Sequence, residues 1–325
     1  MNRKTGLGLL ASFLILGMQA SLSPAKEFPE KPITAIIAFA PGGAPDLLFR
    51  PMAELAKKHL GVPVVIVNKP GGGGIPGTAE VARAKPDGYT ILMNFGGGEQ
   101  LISPHLEKVP FDTLKDFDPV ILIGYYPSAL FVQEESPWKT LEDFIQEAKK
   151  RPGDLRYSHP GTLSANNMTV LTLQKLAGIT LAGIPTPGGG AAMNMLLGGH
   201  VEATSIAFPV AWPQVQAKKL RCLAHASPKR SDTYPGAPTY SDYGFDIRFV
   251  ISQGIAAPKG TPGPVIKKIH DAFAAAYHDP STQEVLKTIR FTPHYLNSGD
   301  FAKYIREMYD YYGEVVKKTG ITLKK

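Results

Sequence analysis

The stretch Ile33-Thr34-Ala35-Ile36-Ile37-Ala38-Phe39-Ala40-Pro41-Gly42-Gly43-Ala44-Pro45-Asp46 decides the fold. Ile33 to Ala40 is an apolar run between Pro32 and a Pro-Gly-Gly turn, the pattern of a buried strand. Leu47, Leu48, Met52, Leu55, Ala56 and Leu60 then recur at helical spacing, and Gly61 stops that helix. A strand that turns through glycines into a helix opens a βαβ unit. The turn also has chemistry. Backbone N–H groups at a helix start have no partner within the helix, and together with the helix dipole they favour an anion.

The alternation continues on both sides of a midpoint. Val62 to Val67 and Tyr89 to Met93 read as strands, with a short helix over Thr78 to Ala84 between them. Val120 to Gly124 and Ala129 to Val132 read as two more strands, then Leu141 to Ala148 as a helix. A second series follows: strands at Leu155–Ser158, Leu181–Ile184 and Val201–Ala207, with helices over Ser164–Ala177 and Ala191–Leu197. Leu220 to Ala226 and Ile247 to Ala257 have strand character. The end is helical, with an apolar stripe from Phe301 to Val316, a cap expected at Ser298 and a stop at Gly320. Two α/β lobes are expected, with sheets that are mainly parallel and covered by helices.

Composition narrows the function. The chain has 325 residues, 43% hydrophobic and 19% charged, enough for a buried core in two domains. Its net charge of +7 is spread thinly, which argues against a nucleic-acid tract and suits an acidic small molecule. The single cysteine, Cys222, allows neither an internal disulfide nor a Cys-based zinc site and reads as a small core hydrophobe. Arg3 and Lys4, the apolar run Leu7 to Met18 and the small-x-small exit Ser23-Pro24-Ala25 describe a secretory signal over residues 1–25. The apolar run is too short for a spanning helix. Its removal leaves an exported chain of charge +5, since no acid leaves with Arg3 and Lys4.

Two further glycine turns begin helices, Lys69 to Gly77 and Pro187 to Gly190. Gly72-x-Gly74-x-x-Gly77, with Glu99 at about a ribose-contact distance, matches the dinucleotide fingerprint and keeps an oxidoreductase in view. It follows the second strand rather than the first, and Pro76 interrupts it. Ser158-His159 and Ser164 keep an exported serine hydrolase in view as the alternative function, although adjacency in sequence does not make a triad. No nucleophile elbow, P-loop or H-x-x-x-H pair occurs, so no catalytic residue, metal site or cofactor is expected. Each glycine loop also has a plainer reading as a tight turn, and Phe95, Tyr126, Phe208 and Trp212 read first as core and second as pocket walls.

A set of ordered motifs carries a resemblance. They are Phe28-Pro29-x-Lys31-Pro32-Ile33, Phe39-x-Pro41-Gly42-Gly43-x-x-Asp46 with Arg50, Val67-Asn68-Lys69-Pro70-Gly71-x-Gly73-Gly74 and Ala84 to Thr90. Asp116-Phe117-x-Pro119-Val120, Leu196 to Glu202 and Ala257-Pro258-x-Gly260-Thr261-Pro262 follow. With these the chain resembles the solute receptors of tripartite tricarboxylate transporters, the Bug-type periplasmic family, over nearly all its mature length.

The resemblance implies an α/β, two-lobed periplasmic binding fold, type II-like, with two crossover segments near Gly124–Ala129 and Arg248–Gly254. Lobe 1 is then 26–124 with 254–325, and lobe 2 is 125–253. It implies a carboxylate held in the cleft. Phe39, Ala40, Gly42, Gly43 and Ala44 form the first-lobe turn, with amide donors at Gly43 and Ala44, and Asp46 orients that turn. The loop Asn94 to Gly98, including Phe95 and Gly96, makes a cleft wall. Ser158, His159, Gly161, Thr162 and Ser164 bind the second polar end, and Thr186, Ser205, Ala207 and Phe208 complete the second lobe's surface. The chain departs from the family where Thr186-Pro187-Gly188 replaces a Tyr-Lys-Gly and where Ala44-Pro45 replaces small polar residues, a shift toward a ligand with a larger apolar body. The implied partners are a small dicarboxylate or aromatic carboxylate and, transiently, transporter membrane subunits; the receptor is expected to be a periplasmic monomer that binds no nucleic acid.

Overall fold

The computed structural model describes residues 27–321. The export signal expected over residues 1–25 lies outside them.

The N-terminal segment alternates as read: β1 (Ile33–Ile37), α1 (Ala44–Leu60), β2 (Val64–Asn68), α2 (Ile75–Ala82), β3 (Thr90–Phe95) and the single turn α3 (Gly98–Leu101). The long β4 (Phe117–Gln133) leads to α4 (Leu141–Lys150), β5 (Arg156–His159), α5 (Ala165–Ala177), β6 (Ala182–Pro185), α6 (Gly189–Leu197), β7 (Ala203–Ala207), α7 (Phe208–Gln216) and β8 (Leu220–His225). The chain ends with β9 (Val250–Pro258), α8 (Gly263–His278), α9 (Pro280–Thr288), β10 (Thr292–Leu296) and α10 (Ser298–Thr319).

In the first lobe β1 pairs in parallel with β2 and β3, while β9 lies antiparallel to both β3 and β4, and β10 is antiparallel to β4. In the second, β5 pairs in parallel with β6 and β7, while β7 and β8 are antiparallel to β4. The sheets are therefore mixed rather than mainly parallel. The cause is β4 and β9, which run against their neighbours and join the two halves.

β4 also corrects the expectation of two strands. Gly124 and Pro127 resemble breakers, yet the strand is continuous through both. Its first part pairs with β9 as far as Pro127, and Ser128 starts the pairing with β7. Pro127 stands where the strand changes partners, a position at which proline's missing donor is tolerated.

Parallel neighbours need helical crossovers, and these supply the core. α1 has Pro45 in its first turn, ends at Gly61 in the left-handed conformation (φ 76°) and buries Leu48, Phe49, Met52 and Ala56. The C-terminal α8 packs on α1, and α10 lies against β4 with Phe301, Ile305 and Tyr312 buried. The cap of α10 is Asn297, which accepts from the Asp300 amide; Ser298 instead donates to the Pro119 carbonyl. Cys222 is partly buried against the core. α7 was not legible because Pro209 and Pro213 fall within it; Pro209 occupies the first turn, where proline is accommodated.

Candidate functional site

The turn after β1 is held by a polar cluster. Asp46 accepts from the Gly42 amide at 3.1 Å, from Arg50 at 2.8 and 3.0 Å, and from Asn68 Nδ2 at 3.1 Å. Asn68 Nδ2 also donates to the Phe39 carbonyl. Burial pulls the Asp46 carboxyl upward, but the bonds from Arg50, Gly42 and Asn68 outweigh it and hold the group below the usual carboxylate range. Asp46 is thus committed to the turn. The amides of Gly43 and Ala44 at the start of α1 meet no protein acceptor among the described residues.

That helix start opens into a narrow cavity on which others converge. Gly43, Ala44 and Pro45 come from α1, Gly98 and Glu99 from α3, and Ser164, Ala165 and Asn166 from α5. Gly189 comes from the start of α6, and Ala207 and Val210 from that of α7. Phe39, Asn94, Tyr126, Pro160, Ile251 and Gln253 close the walls. About 40 Å³ is open to the centre of a water molecule, space for a few waters or for one end of a ligand. Phe39 and Pro160 also border a wider groove of about 680 Å³, lined by Gly71 to Gly74, Gly161, Thr162 and Thr186 among others.

Each helix start contributes partial positive charge, so four helices of nine residues or more and one short turn place their positive ends on one small, largely apolar space. Such a cavity suits an anionic end group.

The expected site residues divide by where their side chains go. Phe39, Gly43, Ala44, Ser164 and Ala207 line the cavity, and Gly161, Thr162 and Thr186 line the wider groove. Ala40 faces Gly188 from the other lobe. The amides of Gly42 and Gly96 are spent on Asp46 and on the Gln100 side chain. Phe95 packs on Phe117 and Phe301, and Phe208 on Phe131, Trp212 and Tyr234; both rings are core. Ser205 donates to the Asn166 carbonyl behind the wall.

Ser158 donates to the Ala192 carbonyl, and its hydroxyl is fully buried. The His159 ring bonds the Gly161 carbonyl through Nδ1, and burial lowers its pKa to about 4. The Ser164 hydroxyl accepts from the Asn167 amide as the cap of α5. None of these serines bonds a histidine, so the hydrolase constellation is not assembled. The Gly71–Gly74 loop packs against the other lobe: a methyl on Gly161 would lie 2.7 Å from Gly73 Cα. The glycines there permit a close approach between lobes.

Glu99, Gln253 and Asn166 are polar wall residues absent from the expected contacts, while Tyr126, a candidate wall, does line the cavity. Asn94 Oδ1 accepts the Ala38 amide, which aims Nδ2 at Glu99 Oε1. Glu99 is 2% exposed, and burial raises its pKa to about 7 against the pull of its hydrogen bonds. Gln253 Nε2 donates to the Ser252 carbonyl, while its buried Oε1 has no partner. An acid directly after Gly96-Gly97-Gly98, in a loop expected to wall the cleft, was the available signal for Glu99.

A two-lobed α/β chain with helix starts converging between its halves has the architecture of the periplasmic solute-binding class. The model of the tripartite tricarboxylate transporter family receptor, TctC, matches residues 48–321, and the chain belongs to that family. It is 35% identical over 317 residues to a Cupriavidus necator protein described as "UPF0065 protein in gbd 5'region", covering 97% of this chain and 96% of that one. The solved periplasmic binding protein BugD is 30% identical with a TM-score of 0.85, covering 91% of this chain and 100% of its own. An R. palustris protein solved with adipate is 26% identical with a TM-score of 0.84, covering 91% and 99%. The family is one of receptors rather than enzymes, and its solved neighbour BugD is a periplasmic binding protein. Among the described residues no helix is long and apolar enough to cross a membrane.

Proposed function

We propose that this receptor is exported by its N-terminal signal, captures a small carboxylate between its lobes in the periplasm, and presents it to transporter membrane subunits as a monomer. One observation carries the ligand class: the unspent amides of Gly43 and Ala44 open, with the starts of α5, α6 and α7, on a single narrow cavity. One carboxylate end occupies that cavity, and the body of the ligand, that of a longer dicarboxylate or an aromatic carboxylate, extends past Phe39 and Pro160 into the wider groove. The adipate bound by the R. palustris neighbour is consistent with an acid of that kind.

The lobes are taken as 26–124 with 254–325, and 125–253. Contacts from both lobes exist only when the cleft is shut, so ligand binding favours the closed form. Asp46 holds the turn, and Gly43 and Ala44 contact the ligand directly. A thermal-shift screen of mono-, di- and aromatic carboxylates tests the class, because a ligand that binds only the folded state raises the melting temperature. A shift with sugars or cationic solutes and none with any carboxylate would reject it.

A further inference from the structure

We propose that the ligand carries an ammonium group beside its carboxylate, and that Glu99 with Gln253 receives it. The inference rests on the carboxylate reading above and sharpens it.

The cavity has a donor end and an acceptor end. The donors are main-chain amides at the start of α1. The acceptors are side chains: Glu99 from α3 and Gln253 from β9, each at least 98% buried and each facing the same space. Gln253 has its nitrogen committed to the Ser252 carbonyl, so its oxygen is the free end, and nothing in the protein donates to it. A buried acceptor without a donor is costly, which makes a donor on the ligand the economical partner.

Glu99 adds charge to this argument. Its protein donors, the Asn94 amide, the Gln100 side chain and its own backbone N–H, are all neutral, and no lysine, arginine or histidine lines the cavity. A carboxylate buried without a cation tends to keep its proton, and a cation arriving from outside can take the proton's place. The elements packed on α3 supply none. α2 presents Thr78, which bonds Gln100; α5 presents Ala165; Tyr304 of α10 bonds Ser252, and His105 bonds the Tyr309 carbonyl. Tyr126 of β4 is the titratable neighbour that feels the Glu99 charge, and it is neutral at physiological pH. A ligand ammonium between Glu99 and Gln253 therefore meets both unmet demands, a counter-ion for one and a donor for the other. Asp46 is not available for that role, since Arg50 already occupies both its oxygens.

The test uses matched pairs that differ only by an amino group: adipate with 2-aminoadipate, glutarate with glutamate, and butyrate with 2-aminobutyrate. Calorimetry on the wild-type receptor is expected to show the amino-bearing member of the binding pair tighter by about 10- to 100-fold, the worth of a charge-assisted hydrogen bond. Binding at neutral pH should release protons, read by repeating the titration in buffers of different ionisation enthalpy. Glu99→Gln, nearly isosteric, should erase the preference, so that the amino-bearing member binds no tighter than its amino-free partner. Equal or weaker binding of the amino-bearing member in wild type, or an undiminished preference in Glu99→Gln, would overturn the proposal. Failure of every member of every pair to bind would instead count against carboxylate capture itself.

Discussion

Gly98 and Ala165 meet across the cleft: a methyl group on Gly98 would lie 2.4 Å from the Ala165 backbone nitrogen. One residue follows β3 in the first lobe, and the other begins α5 in the second. The walls of the cavity touch there main chain to main chain. Gly98→Ala is expected to wedge the cleft open at a cost of about 1–3 kcal/mol, the usual penalty for overpacking. Affinity should fall by one to two orders of magnitude, while each lobe keeps its fold. Calorimetry beside a melting curve separates the two effects.

Gly43 tests the anion site from the other side. Its backbone is extended (φ −76°, ψ 169°), so a side chain there brings no backbone strain, and its nearest neighbour would be the Ala40 carbonyl at 3.4 Å. Gly43→Val is expected to cut carboxylate affinity at least about tenfold by covering the amides, with a melting temperature within about 2 °C of wild type. Unchanged affinity in a folded variant would remove the turn from the site.

Asp46 should act on stability before it acts on binding. Its removal in Asp46→Ala leaves the Gly42 amide, Arg50 and Asn68 without their shared acceptor. Arg50 is half exposed, so the expected loss is only about 1–2 kcal/mol in denaturant unfolding. The folded-state pKa of Asp46 lies below its ordinary value of 3.8, so its contribution is present above that pH and fades as pH falls through the folded value. Wild type and variant should converge in strong acid.

Glu99 predicts the opposite slope. Its folded pKa is raised from 4.5 to about 7, so the folded state holds the extra proton across that window and stability falls as pH rises through it. The full effect is on the order of 3 kcal/mol. Urea unfolding of the ligand-free protein at intervals from pH 4.5 to 8 should show the decline in wild type and a flatter profile in Glu99→Gln.

Local order was legible wherever the chain marks it locally. The first strand, its glycine turn and α1 follow from residues adjacent in sequence. β4 was read as two pieces, since a proline and a glycine announce a break when seen without the partners that change over beside them. The cavity's far wall was harder. Ile251 and Gln253 sit in ordinary strand sequence, and the pairing of β4 with β9 brings them beside Tyr126, itself a candidate wall. Phe95 and Phe208 show the converse. An aromatic ring beside a binding loop looks like a lid, yet both rings turn into the core because burial there removes more apolar surface from water.

β4 has a mechanical consequence. A single unbroken strand belongs to both sheets, and β9 runs beside it with Pro127 opposite Val250 at the border. The halves are thus mounted on a two-stranded ribbon in place of slack tethers. Any gaping of the mouth is expected to twist that ribbon, whose register slips between Pro119 and Ile121 and again between Leu122 and Gly124. Stiffening those few residues is expected to alter how fast cargo is exchanged while leaving the proposed contacts in place.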